Sequence, residues 1–418
     1  MKVTSRYALL AALGVSVATT AGFSPAFAKK KEEAPAAPAV KLSEDVRKAL
    51  AAAQAALAKN DIPGAEAQVA AAQAASKTPD DTFVSAQIAL NVAIKSGDHA
   101  KQVAALDAVI ATGRVADADK AKYYGYQADF AYQDKNYRKA EQAYLNAAAA
   151  GSTDPDIGAK LADSQARNGN PAGSVATLQK FIDAKIAAGQ TVPTEWYARG
   201  ADIASRGKLV EPFVNITTAW LKAYPAKQNW HDSLFIYRQA AALTGDPDLD
   251  LLRLARYAGA LQISAQSNYV DYALAVYLRY PNEAVTVLKE GIAAGKVNTA
   301  TSQNAREILA LSEPKIAADR ASLKGADAAA SGPKATFKSV LATGDVYYGY
   351  GQFQQAADMY KIALTKPGAD AGVANLRMGM SLAQAGNKDA AKAAFTAVTG
   401  PEANLAKYWL VLLDHPAA

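Results

Sequence analysis

The 418-residue chain contains no cysteine and only three histidines. Without cysteine there is no disulfide, no cysteine-borne lipid and no thiolate metal site. His99, His231 and His415 lie in unrelated segments, with no second histidine or carboxylate at ligand spacing. That leaves a metal centre or a Ser/His/Asp triad without support, and no cofactor is expected. His231, beside Trp230, reads as a helix-start or packing residue. Beyond residue 28 no stretch approaches the roughly 20 apolar residues of a spanning helix. The net charge is +6, and Lys2 and Arg6 supply two of those charges. The remainder is mild and unclustered, which argues against nucleic acid as a partner. Gly125 and Gly349-Tyr350-Gly351 lack the strand–loop–helix setting and the Lys-Ser/Thr of a phosphate loop. Asn215-Ile216-Thr217 matches a glycosylation sequon but falls inside an expected helix.

Residues 1–28 have the layout of an export signal. Lys2 and Arg6 give a positive start, Ala8–Phe23 is apolar or small, and Ala26-Phe27-Ala28 is a small-x-small cleavage site. Cleavage is expected after Ala28, releasing a periplasmic chain with no transmembrane segment. Residues 29–41, KKKEEAPAAPAVK, read as a disordered or semi-extended linker.

What the sequence has in abundance is a repeat. Residues 121–150 read AKYYGYQADFAYQDKNYRKAEQAYLNAAAA, and the pattern returns 34 residues later: Ala128 becomes Ala162, Lys135 becomes Gly169, Ala140 becomes Ser174 and Tyr144 becomes Leu178. Tyr124, Ala128 and Ala131 share one helical face, as do Ala140, Tyr144 and Ala147. Gln133–Asn136 is the polar turn between them. Small residues at 128 and 140 let the two helices approach, and the tyrosines fill the gaps. A lone hairpin cannot cover its apolar face, so neighbours must stack on it.

The aromatic Tyr124, the small Ala128, the run Tyr137-x-x-Ala140, and then Tyr144 and Ala147 resemble a tetratricopeptide repeat. Gly344, Tyr347, Gly351, Phe353, Ala356, Tyr360, Ala363 and Pro367 follow the same spacing, and Gly379, Leu382, Gly386, Ala391, Phe395 and Val398 repeat it. The resemblance implies an all-α, right-handed solenoid of helix–turn–helix repeats. A main array is expected over 42–323, divergent from about 230, with Pro314 breaking a long helix near Ser312. Gly245-Asp246-Pro247-Asp248 reads as a turn. Lys324–Lys334 reads as a loop or hinge, followed over 335–418 by two repeats and a terminal capping helix.

By the same resemblance, the first helix of each pair lines a concave groove. The groove positions would be Lys122, Gly125, Asp129, Tyr132 and Gln133 in the strong repeat, and Lys338, Leu341, Asp345, Tyr348 and Gly349 in the later one. Tyrosine, carboxylate, amide and lysine suit an extended peptide. The expected function is a non-catalytic periplasmic scaffold that binds an envelope protein or a peptide segment of one. Gly125 and Asp129 stand where a carboxylate clamp of Lys, Arg and Asn would need basic and amide groups, so that activity is not supported. The alternative is a binder of peptidoglycan or exopolysaccharide, with Tyr132, Tyr348, Trp196 and Tyr197 as stacking platforms. An enzyme built like the solenoid-bearing lytic transglycosylases would need a globular domain with a catalytic glutamate, and no segment is left for one.

Overall fold

The computed structural model describes residues 41–418, and every regular element among them is helical. The expected export signal and nearly all of the expected linker lie outside the described residues. The chain forms two compact units, divided after Gly169. The first holds α1 (Glu44–Ala58), α2 (Ile62–Ala75), α3 (Pro79–Ser96), α4 (His99–Ala111), α5 (Asp117–Gln133), α6 (Tyr137–Ala149) and α7 (Ile157–Arg167). The second begins with α8 (Pro171–Ala187), α9 (Thr194–Arg206), α10 (Val210–Ala223), α11 (Lys227–Ala240), α12 (Gly245–Tyr257), α13 (Gln266–Val276) and α14 (Pro281–Ala293). It continues through α15 (Gln303–Ser312), α16 (Ile316–Ser322), α17 (Ala326–Ser331), α18 (Phe337–Gly349), α19 (Phe353–Ala363), α20 (Ala371–Gln384), α21 (Lys388–Thr396) and α22 (Ala403–Asp414).

The stacking logic is clearest at α3. Val84, Ile88 and Val92 face a core shared with α1 and α2, while Ala86, Leu90 and Ala93 face one shared with α4 and α5. A helix apolar on two sides is one with a neighbour on each. Thr78 and Asp81 form a capping box at its start, and the Asp81 carboxylate also accepts from the backbone N–H and the hydroxyl of Ser43, at 2.8 and 2.6 Å. The beginnings of α1 and α3 are thereby tied together.

Within the helix pairs one register recurs. A small residue on the first helix faces a large one sixteen positions on. A Cβ on Gly200 would stand 2.0 Å from Ile216, one on Gly344 2.6 Å from the Tyr360 ring, and one on Gly379 2.6 Å from Phe395. Ala128 and Tyr144, and Ala162 and Leu178, keep the same spacing and are buried. The turns recur too. Lys135 and Gly386 take positive φ, and the next residues, Asn136 and Asn387, cap α6 and α21 by accepting from the backbone N–H of Lys139 and Ala390.

Two sequence expectations need correction and a third is extended. Gly245–Asp248 is the first turn of α12 and not a free turn; Pro247 is tolerated there because the first-turn N–H groups need no helical partner. Residues 324–334 contain α17, started by Gly325 at φ 80°, and the division between units falls after Gly169 instead. The terminal helix covers the last pair, α20 and α21, but does more than cap it. In the second unit α22 packs on α10, and the Tyr408 hydroxyl meets the Thr217 hydroxyl at 2.7 Å in the interior. Tyr408 also lies beside the rings of Trp230 and Tyr237, and Trp409 beside Tyr257. Leu405 and Leu412 of α22 are buried, each contributing about 1.5–3 kcal/mol. The backbone of Ala418 pairs in both directions with the Pro225–Lys227 segment, at 2.8 and 3.1 Å. The second unit therefore closes on itself. The expected break near Ser312 holds: α15 ends there, with Glu313–Lys315 as a 3-10 turn.

Candidate functional site

Lys122, Gly125 and Asp129 are spaced three and four apart on α5, so they form one stripe. That stripe lines a cleft of about 360 Å³ in the first unit, closed on its far side by Gly151–Asp154 and by Ile157 and Lys160 of α7. Gly125 helps keep the cleft open: a Cβ there would meet nothing within 4 Å. Asp129 accepts a hydrogen bond from the Tyr144 hydroxyl at 2.5 Å. The Lys160 ammonium lies 3.6 Å from Asp129 and 2.8 Å from Asp154. Burial works against the charge on Lys160, but the two carboxylates win and hold it above the usual lysine range. Burial, with the charge of Asp129, pushes the Tyr144 hydroxyl well above the usual tyrosine range, so it stays a donor. Lys122 is exposed at the rim, paired with Asp119 at 3.2 Å.

The cleft thus offers two ammonium groups and two carboxylates around a small open floor. It has no excess of either sign and no nucleophile–base pair. Among the described residues, no group of three or more histidines and carboxylates could hold a metal ion. The arrangement suits hydrogen bonding to a chain carrying both donors and acceptors, such as a peptide.

The other two predicted positions of α5 are placed differently. The Tyr132 hydroxyl donates to Asp163, Arg167 bonds the same carboxylate at 3.1 Å, and its guanidinium lies over the Tyr132 and Tyr137 rings at 5.5 Å each. Tyr132 is thus half-buried and braced by α7. Gln133 is exposed at the end of α5, away from the cleft lining. Asp154 and Lys160, which complete the cleft, were not anticipated. Asp154 lies in the segment before α7, and Lys160 lies on the first helix of the next pair but one position past the equivalent of Gly125, so neither falls at a groove position of the 34-residue pattern.

In the second unit only Lys338 is exposed. Asp345 and Tyr348 are 2% and 4% exposed, because other helices of the closed unit cover α18. Asp345 accepts from Arg253 at 3.1 Å and Tyr360 at 2.8 Å through one oxygen, and from Arg377 at 2.8 Å and Tyr280 at 3.0 Å through the other. Arg253 also grips Glu283 with two bonds, at 2.9 and 2.8 Å. Its guanidinium stacks over the Tyr348 ring at 4.5 Å. Asp345 and Tyr348 are therefore core residues, not surface contacts. Trp196 and Tyr197, 5% and 1% exposed, are likewise unavailable as sugar platforms. Their large faces pack inward, with Tyr197 edge-on to Tyr224.

The sequence matches no family model and no curated protein. Among solved structures, it is similar to a tetratricopeptide repeat protein from Parabacteroides merdae ATCC 43184 at 12% identity, covering 71% of this chain and 100% of that one, with a TM-score of 0.25. It is also similar to the structure of Naa15/Naa10 bound to HypK-THB, at 11% identity over 85% of this chain and 69% of that one, TM-score 0.26. A third is the P58(IPK) TPR domain, at 14% identity over 88% of this chain and 99% of that one, TM-score 0.22. At such scores whole chains do not superpose, and the fold stands on the helix pairs themselves. Those pairs make the chain an all-α solenoid of tetratricopeptide-like repeats.

Proposed function

We propose that this protein is a non-catalytic periplasmic scaffold that binds an extended segment of an envelope protein in the cleft between α5 and α7. The observation that carries this is the convergence of Lys122, Gly125 and Asp129 with Lys160 and Asp154 around an open floor. Backbone amides and carbonyls of an extended segment would find acceptors and donors there, and the absence of a side chain at Gly125 lets the segment approach the helix. The periplasmic setting rests on the layout of residues 1–28, with a positive start, an apolar stretch and a small-x-small site. Among the described residues, no helix is long and apolar enough to cross a membrane.

Photo-crosslinking in cells tests the proposal. A crosslinking residue at Lys122, on the rim, is compared with one at the exposed Arg138 on α6. A discrete protein adduct from position 122 alone is the expected outcome, and its mass identifies the partner. Adducts from neither position, in protein shown to be folded and exported, would remove the cleft from consideration. Fractionation that leaves the mature chain in the cytoplasm would remove the periplasmic assignment.

A further inference from the structure

The second unit buries five ionisable side chains together: Asp250 and Arg253 of α12, Glu283 of α14, Asp345 of α18 and Arg377 of α20, each no more than 3% exposed at its side chain. Three carboxylates meet two guanidinium groups. At the edge, Asp246 pairs with Arg377 at 3.0 Å and Arg279 at 2.9 Å, so adding this rim pair leaves the same excess of one negative charge. An uncompensated charge in a dry interior is neutralised by taking up a proton rather than being tolerated.

The geometry indicates where the proton goes. Glu283 and Asp345 have short, well-directed donors, including the Tyr272 hydroxyl on Glu283 at 2.8 Å. Asp250 has the poorest set: Arg377 Nε reaches both its oxygens at 3.2 Å, and Arg253 stands 3.6 Å away. Charge-assisted bonds are usually about 2.7–2.9 Å, so Asp250 is the carboxyl least supported as an anion. The groups facing it are Arg253 on its own helix, Arg377 from α20 and Asp345 from α18. Burial, reinforced by the Asp345 charge, outweighs the two arginines and raises its affinity for a proton.

We propose that the closed second unit holds a single proton on Asp250 above the pH at which a free aspartate loses it, and that losing it loosens the α12–α20 seam. The device makes the opening of this unit, and not of the first, depend on the protonation of Asp250. The sign follows from linkage. A carboxyl that binds protons more tightly when folded stabilises the fold fully below the unfolded aspartate value of about 3.9, and that share is lost as pH rises through the folded value.

The test uses the full chain and Asp250→Asn, a neutral side chain of the same shape. Hydrogen exchange gives the opening constant of α12 and α20 in both proteins at each pH. The ratio of wild type to D250N should climb about tenfold per pH unit above pH 4 until Asp250 ionises, with no change in α1–α6. A ratio that is flat or falling across that range overturns the proposal. Should D250N not fold, wild-type protein labelled at its aspartate carboxyl carbons decides by NMR. One carboxyl still protonated above the free aspartate value of about 3.9 is expected, and a spectrum with none overturns the proposal.

Discussion

α5 and α18 carry the same residues at the same register and use them in opposite ways. Lys122, Asp129 and Tyr132 correspond to Lys338, Asp345 and Tyr348, and in both helices a tyrosine fifteen positions on donates to the aspartate: Tyr144 to Asp129 and Tyr360 to Asp345. In the first unit this aspartate lies at the edge of an open cleft, with one lysine 3.6 Å away. In the second, Arg253, Arg377 and Tyr280 arrive from other helices and complete its coordination. The repeat fixes which face of a helix a residue occupies. Whether that face is groove or core is decided by residues far away in the chain.

Removing the aspartate should separate the two settings most sharply. Asp345→Ala leaves two buried guanidinium groups and two tyrosine hydroxyls short of a partner, and should cost about 3–5 kcal/mol. Asp129→Ala, where water can reach the site, should cost about 0.5–1.5 kcal/mol. Hydrogen exchange resolved by unit reports both, and equal losses would erase the distinction. Asp345 also has a pH signature opposite to that of Asp250. Despite burial, Arg377 and Arg253 hold its carboxyl below the usual range. Its contribution is therefore present above the unfolded aspartate value and is lost as pH falls through the folded one. Acid should open the second unit in wild type, and this acid-side loss should be reduced in Asp345→Asn.

Glycine substitutions give the next largest contrast. Gly344→Ala forces a Cβ to within 2.6 Å of the Tyr360 ring and should cost about 1–3 kcal/mol in thermal or denaturant unfolding. Gly125→Ala meets nothing, and should be neutral or stabilising by up to about 1 kcal/mol. It would, however, narrow the cleft and weaken crosslinking from position 122. The smallest effects are expected at Lys122→Ala and Lys338→Ala, each within about 0.5 kcal/mol. Only the first should reduce partner binding.

Much of this architecture was legible in the sequence, because helix period and turn chemistry are local. The 34-residue pattern, the small–large register and the break near Ser312 all act between residues close in sequence. Lys122 and Asp129 share one face of α5 for the same reason. The left-handed turn residue followed by an asparagine cap, Lys135-Asn136 and Gly386-Asn387, is a further local signal that was present but not used. What escaped was non-local. Nothing near Asp345 announces Arg253 or Arg377, and nothing near Tyr408 announces Thr217 and Trp230. Arginine and aspartate in α12 look like a solvated face by period alone, yet Asp250 and Arg253 are interior residues of a closed unit.

The seam between α10 and α22 bears on how the molecule is made. Helix pairs such as α5 and α6 join residues a few dozen positions apart and can assemble as they are synthesised. The Thr217–Tyr408 contact joins positions 191 apart, and loops of that span close slowly because their entropy is lost before any contact rewards it. Until α22 is available, Trp230 and Tyr237 lack their ring partner and the interior of α10–α12 stands open. During that interval the second unit exposes apolar surface that the first has already covered, so a holding chaperone or a protease would find its substrate in residues 210–257.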